Sequence, residues 1–308
     1  MECKTFRDTE LSRLGMGTMR LPTEGDVDGA SIDYPRAEAI VDYAMASGIN
    51  YYDTAWTYHG GTSEGFLGQA LAARYPRDSF HVATKYYIQA ERDYRRVFEA
   101  QLKRLHVGYV DFYLIHSVTD ATYRDYLDSG CVDYFLEQRH RGRIRYLGFS
   151  SHATPQVLRA FADAYGRPWD FAQIQCNYLD WEYSTTHEEY ELLKERSMPI
   201  MVMEPVRGGR LAKLTPAAER PLRTAHPDWS LASWALRWVR ALPQVQTVLS
   251  GMSNLAQVAD NVRTFSDEAT LSEEDRTLSA TCAHGVSRRA FGALHGVSLL
   301  HGRLSCTD

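Results

Sequence analysis

Long hydrophobic runs are missing from this 308-residue chain. None approaches the roughly 18 consecutive apolar residues that cross a bilayer, so no membrane span is expected. The opening Met1-Glu2-Cys3-Lys4-Thr5-Phe6 lacks the basic-then-apolar order of a secretory leader, and a cytoplasmic location is the expectation. Cysteine is sparse. Cys3, Cys131, Cys176, Cys282 and Cys306 are odd in number and show no C-x-x-C spacing, which argues against a disulfide framework or a zinc site. Positive charge is not in excess, at 34 Lys and Arg against 39 Asp and Glu. A chain without a basic face has little to draw nucleic acid, and a small molecule is the better partner. The 11 histidines include no His-x-His pair, so a metal-dependent barrel hydrolase lacks its ligand set.

What is present is an ordinary globular composition, 44% hydrophobic and 24% charged. Short strand-like runs alternate with longer helix-like segments, the pattern of βαβ units. Strands are predicted over 14–18, 49–54, 80–84, 109–115, 144–149, 171–176, 199–203 and 247–249. Helical spacing falls between them, as in 35–47, where Pro35 suits the first turn and Gly48 the stop, and in 67–74, 92–105, 154–164 and 230–239. Strands and helices in this number favour a single (β/α)8 TIM barrel over a doubly wound sheet. Residues 1–270 are assigned to the barrel and 271–308 to a C-terminal helical or irregular extension, with 207–228 read as a long loop.

In such a barrel the working residues sit at the C-terminal strand ends. Asp53 closes the second predicted strand, with Tyr58 in the loop after it; Lys85 closes the third and His116 the fourth. The set suits proton transfer to a carbonyl. A tyrosine with a pKa of about 10 is a sluggish acid at neutral pH, and a neighbouring ammonium lowers that value. Lys85 is therefore expected to depress the Tyr58 pKa, Asp53 to hold Lys85, and His116 to orient the substrate oxygen. No side chain supplies hydride, so a cofactor must. Each residue alone also has a bland reading: Asp53 as a turn cap, Tyr58 as a loop aromatic, Lys85 as a solvated cation, His116 as a satisfied strand-end histidine. Spacing alone does not decide between the two.

The residues themselves carry a resemblance. Asp53-Thr54-Ala55-Trp56-Thr57-Tyr58, preceded by Gly48-Ile49-Asn50 and followed by Ser63-Glu64 and Leu67-Gly68, resembles the signature of aldo-keto reductases. The likeness continues through Thr84-Lys85, Asp111-Phe112-Tyr113-Leu114-Ile115-His116 and the run 143–150, and spans residues 5–265. It implies a (β/α)8 oxidoreductase acting on aldehydes or ketones, with Tyr58 as general acid or base and Asp53, Lys85 and His116 completing a tetrad. It also implies NADP(H) or NAD(H) bound without a Rossmann fold, in keeping with the absence of a G-x-G-x-x-G fingerprint.

By that resemblance Gly17, Thr18, Met19 and Asp53 lie near the nicotinamide ribose, Ser150 and Gln173 hold the carboxamide, and Met203 packs on the nicotinamide where many members place an aromatic ring. Pro205, Val206 and Gly208 cover the pyrophosphate, while Gly251, Ser253, Gln257 and Asn261 face the adenosine end. Strand-end capping for Ser150 and Gln173, and a plain surface turn for 205–208, are the alternatives. Gln257 stands where many members carry the arginine that reads the 2′-phosphate; NADP is the expected cofactor, with NAD open.

The runs 173–180 and 203–211 resemble a bacterial subgroup that often ends in a ferredoxin-like segment. Such a cluster needs about four closely spaced thiolates, and only Cys282 and Cys306 lie in the tail, so no iron-sulfur centre is expected. An NADPH-binding regulatory subunit with little turnover is the competing function. The aromatics Tyr86, Tyr87, Tyr123 and Trp181 are placed either on the substrate pocket or in packing at the barrel rim.

Overall fold

The computed structural model describes residues 1–25, 30–166 and 168–283. A hairpin of β1 (Cys3–Phe6) and β2 (Thr9–Ser12) precedes eight strands: β3 (Leu14–Gly17), β4 (Tyr51–Asp53), β5 (His81–Tyr86), β6 (Val110–Val118), β7 (Ile144–Ser151), β8 (Phe171–Gln175), β9 (Ile200–Met203) and β10 (Val245–Ser250). These eight pair in parallel and close in the order β10-β3-β4-β5-β6-β7-β8-β9, a (β/α)8 barrel as the alternation implied. Helices α1 (Tyr34–Ala46), α2 (Ser63–Leu67), α3 (Tyr94–Arg104), α4 (Tyr123–Asp128), α5 (Cys131–His140) and α6 (Pro155–Asp163) serve the first half. Helices α7 (Tyr178–Tyr183), α8 (Thr186–Glu195), α9 (Pro216–Ala225), α10 (Leu231–Arg240), α11 (Leu255–Ser266) and α12 (Glu273–Ala283) follow.

Period-2 alternation divides the apolar residues between two cores. One parity of each strand faces the helices. The other fills the barrel with Tyr51, Ala83, Phe112, Leu114, Tyr146, Phe171, Met201 and Leu249. The hairpin, which the strand pattern did not reveal, plugs the N-terminal end by adding Phe6 and Leu11 to that interior. Phe6 meets the Tyr146 ring edge-on at 4.9 Å, and Thr9 Oγ1 lies 2.8 Å from the Tyr146 hydroxyl. Its reversal at Arg7, with φ +55, uses a residue that carries no turn signal.

Helix starts follow the capping rules: Asp33, Asp93, Ser230 and Asn254 accept from backbone N–H groups of α1, α3, α10 and α11. The segment 207–228 is not a bare loop. It contains α9, capped by Thr215 and buried only at Ala218 and Leu222, with Pro221 in its interior; two prolines and two buried positions hid it from periodicity. α12 packs on α9 and α7 and is tied to the end of α9 by His226 Nε2 and Asp275 Oδ1 at 3.0 Å. Residues 284–308, and with them Cys306, lie outside the described residues, and no described helix is long and apolar enough to cross a membrane.

α2 runs on into a π-helical turn, Gly68–Ala72, that presses against the end of α3. A Cβ on Gly68 would sit 2.2 Å from the Arg104 carbonyl oxygen, whereas one on Gly65 meets nothing within 4 Å. Gly68→Ala is expected to lower stability by about 1–3 kcal/mol. Gly65→Ala should instead raise it by up to about 1 kcal/mol. Urea midpoints check the pair, and equal midpoints would contradict the packing described.

Candidate active site

Continuing the interior parity one step toward the C-terminal ends of the strands replaces most of the aromatic and aliphatic side chains by polar ones, with Met203 the apolar exception. Tyr51 is followed by Asp53, Ala83 by Lys85, Leu114 by His116, Phe171 by Gln173 and Met201 by Met203, while Ser150 lies four beyond Tyr146. The chemistry-bearing residues thus cap the barrel filling at its C-terminal end. His116 falls at a break in the β6–β7 register between Ile115 and Val118, next to Ser117 at φ +54, a bulge that re-aims the strand end. Tyr58 starts a tight turn, Tyr58–Gly61, in which His59 adopts φ +51, a backbone state rare outside glycine.

All three ammonium protons of Lys85 are taken. Its Nζ donates to Asp53 Oδ1 at 2.5 Å, to the Thr54 carbonyl at 2.7 Å and to the Tyr58 hydroxyl at 3.4 Å. Lys85 is fully buried and Asp53 is 3% exposed. Burial works against the Lys85 charge, but the attraction of Asp53 and then Tyr58, with their hydrogen bonds, holds its pKa above the usual lysine value. Burial also lifts Asp53, with Lys85 pulling the other way.

The Tyr58 phenol departs from the sequence-based expectation. Burial raises its pKa, and the opposing pull of Lys85 does not cancel that, since Asp53 and Glu204 add to the rise. The resting phenol holds its proton more firmly than free tyrosine does. The Tyr58 and His116 rings meet at 5.9 Å and 78°, and the Tyr87 ring lies 5.4 Å from that of His116. Burial, then Lys85 and His152, push the His116 pKa well below the usual histidine value, so the imidazole is neutral. The arrangement offers a protonated phenol, a fixed cation behind it and a neutral imidazole beside it.

The other predicted positions differ in their freedom. The Thr18 hydroxyl donates to the Asp53 carbonyl at 2.9 Å and lies 2.8 Å from Ser63 Oγ, so it braces β3 on β4; Gly17 pairs with Asp53 and Met19 is exposed. Ser150 Oγ accepts from the Ser117 N–H at 2.8 Å, a strand-end role, and pairs in register with Gln173. Gln173 Nε2 touches Met203 Sδ at 3.6 Å, and its Oε1 is buried with no partner among the described residues. Asp53 Oδ2 and His116 Nδ1 share that condition. Past β9, Pro205 is buried, Val206 partly so, and Gly208 and Gly209 hold φ +61 and +89. Gly251 follows β10, and a Cβ there would sit 3.2 Å from the Arg20 side chain. The Ser253 N–H donates to Gln257 Oε1 at 2.7 Å, its hydroxyl donates to the Arg20 carbonyl, and Asn261 Nδ2 donates to Ser250 Oγ at 2.9 Å.

Of the aromatics placed on the pocket, Tyr87 alone among the four touches His116. Tyr86 is buried among Tyr94, Tyr126 and Phe135, and Trp181 stacks on His187 at 4.3 Å and meets Trp238, so both pack the rim. Tyr123, the first residue of α4, is partly buried against the core. Thr54, Glu64, Gln101 and Glu204 were not singled out as site residues. Gln101 had a readable signal, since it shares a helix face with Val97 and Phe98 yet is polar.

A model of the Aldo/keto reductase family matches residues 13–278. The uncharacterized oxidoreductase YqkF of Bacillus subtilis is 26% identical over 89% of this chain and 93% of its own length. L-galactose dehydrogenase of Arabidopsis thaliana is 27% identical over 88% of this chain and 89% of its own. Among solved structures, the holo form of aldo-keto reductase AKR11C1 from Bacillus halodurans superposes with a TM-score of 0.75 at 28% identity, covering 92% of this chain and 96% of that one.

The buried ion pair makes a direct prediction. Asp53→Asn leaves an ammonium in the interior without its counter-charge and is expected to lower stability by about 3–5 kcal/mol. Asp53→Asn combined with Lys85→Met should recover most of that loss, because neither charge is then stranded. Urea unfolding of the single and double variants measures the coupling, and an additive pair would show that the two side chains do not act as one unit.

Proposed function

The chain belongs to the aldo/keto reductase family of NAD(P)-dependent oxidoreductases, and we propose that it reduces an aldehyde or ketone to the alcohol, reversibly, with Tyr58 passing the proton. The observation that carries this reading is the Lys85 amine, buried and saturated, 3.4 Å behind the Tyr58 hydroxyl at the barrel mouth. A nicotinamide dinucleotide, when bound, supplies the hydride. The residues present fit it: Asp53 Oδ2 and Gln173 Oε1 are buried acceptors without partners among the described residues, suited to ribose hydroxyl and carboxamide N–H donors, and Met203 offers a soft apolar contact beside Gln173. Thr18, Ser150, Pro205, Val206, Gly208, Gly251, Ser253, Gln257 and Asn261 would extend that contact along the mouth. No Lys or Arg occurs in 253–261 to meet a 2′-phosphate, and we keep NADP as the first cofactor to test with NADH beside it.

In the reduction, neutral His116 holds the substrate oxygen toward Tyr58, and the phenol donates its proton to that oxygen as the alcohol forms. Lys85 carries the compensating charge: as the phenol loses its proton, the fixed ammonium stabilises the phenolate without moving. Asp53 and the Thr54 carbonyl keep the ammonium from turning away. In the reverse direction the phenolate accepts the alcohol proton by the same path.

Tyr58→Phe is expected to reduce kcat/KM by about 10²–10⁴ across a carbonyl panel, with nicotinamide binding by fluorescence unchanged. Retention of most turnover would remove Tyr58 from its role. A raised Tyr58 pKa keeps the proton on the phenol until the pH passes above that value, and a depressed His116 pKa keeps the imidazole neutral. Reduction should therefore run level from about pH 6 to pH 9 and fall only beyond. An inflection near the ordinary histidine pKa of about 6.5 would contradict the state assigned to His116.

A further inference from the structure

Directly behind the Tyr58–Lys85 pair lies a buried polar network with no part in the reaction as written. Glu64, on α2, is completely buried. Its Oε1 accepts from the Thr84 hydroxyl at 2.6 Å and from Gln101 Nε2 at 2.7 Å, and its Oε2 faces Arg104 Nη1 at 3.2 Å. Thr84 immediately precedes Lys85 on β5. Gln101, on α3, also donates to the Lys85 carbonyl at 3.0 Å and accepts from the Tyr113 hydroxyl of β6 at 2.7 Å. On the other side, the Arg104 guanidinium stacks 3.8 Å from the Trp56 ring, two residues before Tyr58, and a Cβ on Gly61, which ends the Tyr58 turn, would meet the Trp56 carbonyl oxygen at 3.4 Å. Next to Glu64, Ser63 Oγ lies 2.9 Å from the hydroxyl of Thr54, whose carbonyl receives the Lys85 ammonium.

We propose that Glu64 is a positioning residue for proton transfer, bridging the strand that carries Lys85 and the turn that carries Tyr58 and so setting the separation of amine and phenol. The proposal rests on the reading of Tyr58 as the proton donor. A carboxylate stripped of water is costly, and apolar packing would fill the same space more cheaply; what a carboxylate adds is directional contact from α2 with both β5 and α3 at once. The charged and titratable groups facing it are Arg104 from α3, Tyr113 from β6 through Gln101, and Lys85 one residue along β5. Burial lifts the Glu64 pKa, and the hydrogen bonds of Thr84 and Gln101, then Arg104, pull against that rise. The geometry implies that loosening this bridge separates the cation from the phenol, so the cation stabilises the phenolate less.

The test compares the wild type with Glu64→Gln, Thr84→Val and Tyr58→Phe, using para-nitrobenzaldehyde with NADPH and with NADH as probes. It adds a direct titration of Tyr58 from near-ultraviolet phenolate absorbance, taken as the difference from the matching Tyr58→Phe protein. Glu64→Gln is expected to lower kcat about tenfold, the scale of a small misplacement, with nicotinamide affinity within about twofold. It should also raise the phenolate midpoint by about half a unit to one unit. Thr84→Val, which keeps every charge, should move both in the same direction by less, and it carries the test if Glu64→Gln does not fold. Folded variants with a lower melting temperature but an unmoved midpoint and kcat would reduce Glu64 to a structural residue and overturn the proposal. Turnover that survives Tyr58→Phe would overturn the functional reading instead, and the two failures are separable in the same assay.

Discussion

The site depends on one buried ammonium that has no freedom left. Lys85 donates to a carboxylate, a backbone carbonyl and a phenol, which exhausts its protons and fixes its tetrahedral orientation. A charge in that position is tolerable only with its partners in place, and those partners come from β4 and the turn after it. The register places Asp53 beside Ala83, one interior layer below Lys85, so the lysine reaches back across the neighbouring strand. The barrel therefore defines the charge pair through strand pairing before any loop contributes.

Tyr58 sits where two forces oppose each other. Burial favours the neutral phenol and Lys85 favours the phenolate, and burial prevails in the resting protein. For an acid this is the useful order. A phenol already ionised at rest would have no proton to give, while one held neutral next to a fixed cation gains the benefit of that cation only as charge develops. The expectation of a net depressed pKa weighed the lysine and left out the desolvation, because a sequence shows which charges are near but not how much water is excluded.

The barrel was legible because its pattern is local: every barrel strand announced itself by short apolar runs, and Asp53, Lys85 and His116 were readable as strand ends. The structure adds that these three continue the parity of Tyr51, Ala83 and Leu114, so alternation alone points them inward. The parts that stayed hidden have tertiary causes. The β1–β2 hairpin turns at an arginine with positive φ, where no glycine or asparagine marks the reversal. Helix α9 buries too little to leave a stripe and carries a proline inside. Tyr86 and Trp181 are aromatic at the right distance along the chain, yet their rings find other rings before they find the pocket. Glu64 and Gln101 look like surface residues, since a buried polar side chain is distinguished only by partners far away in sequence.

Two of the polar atoms left unmatched at the mouth have a common character. Asp53 Oδ2 and Gln173 Oε1 are acceptors, each at an inward strand position, and each is shielded without a donor among the described residues. A shielded acceptor costs about 1–3 kcal/mol when nothing meets it. The same groups are arranged as a template that a ligand rich in hydroxyl and amide N–H donors can complete, and the cost borne by the free protein then returns as affinity for that ligand and not for one lacking those donors. The lower layers of the barrel supply the rigidity this requires. Phe112, between Tyr51, Tyr146 and Phe171 with ring centroids within 5.3 Å of each, leaves the floor beneath the template no room to relax around unpaired oxygens. On the function proposed above, selectivity for a donor-rich cofactor would rest on the packing directly beneath those two oxygens.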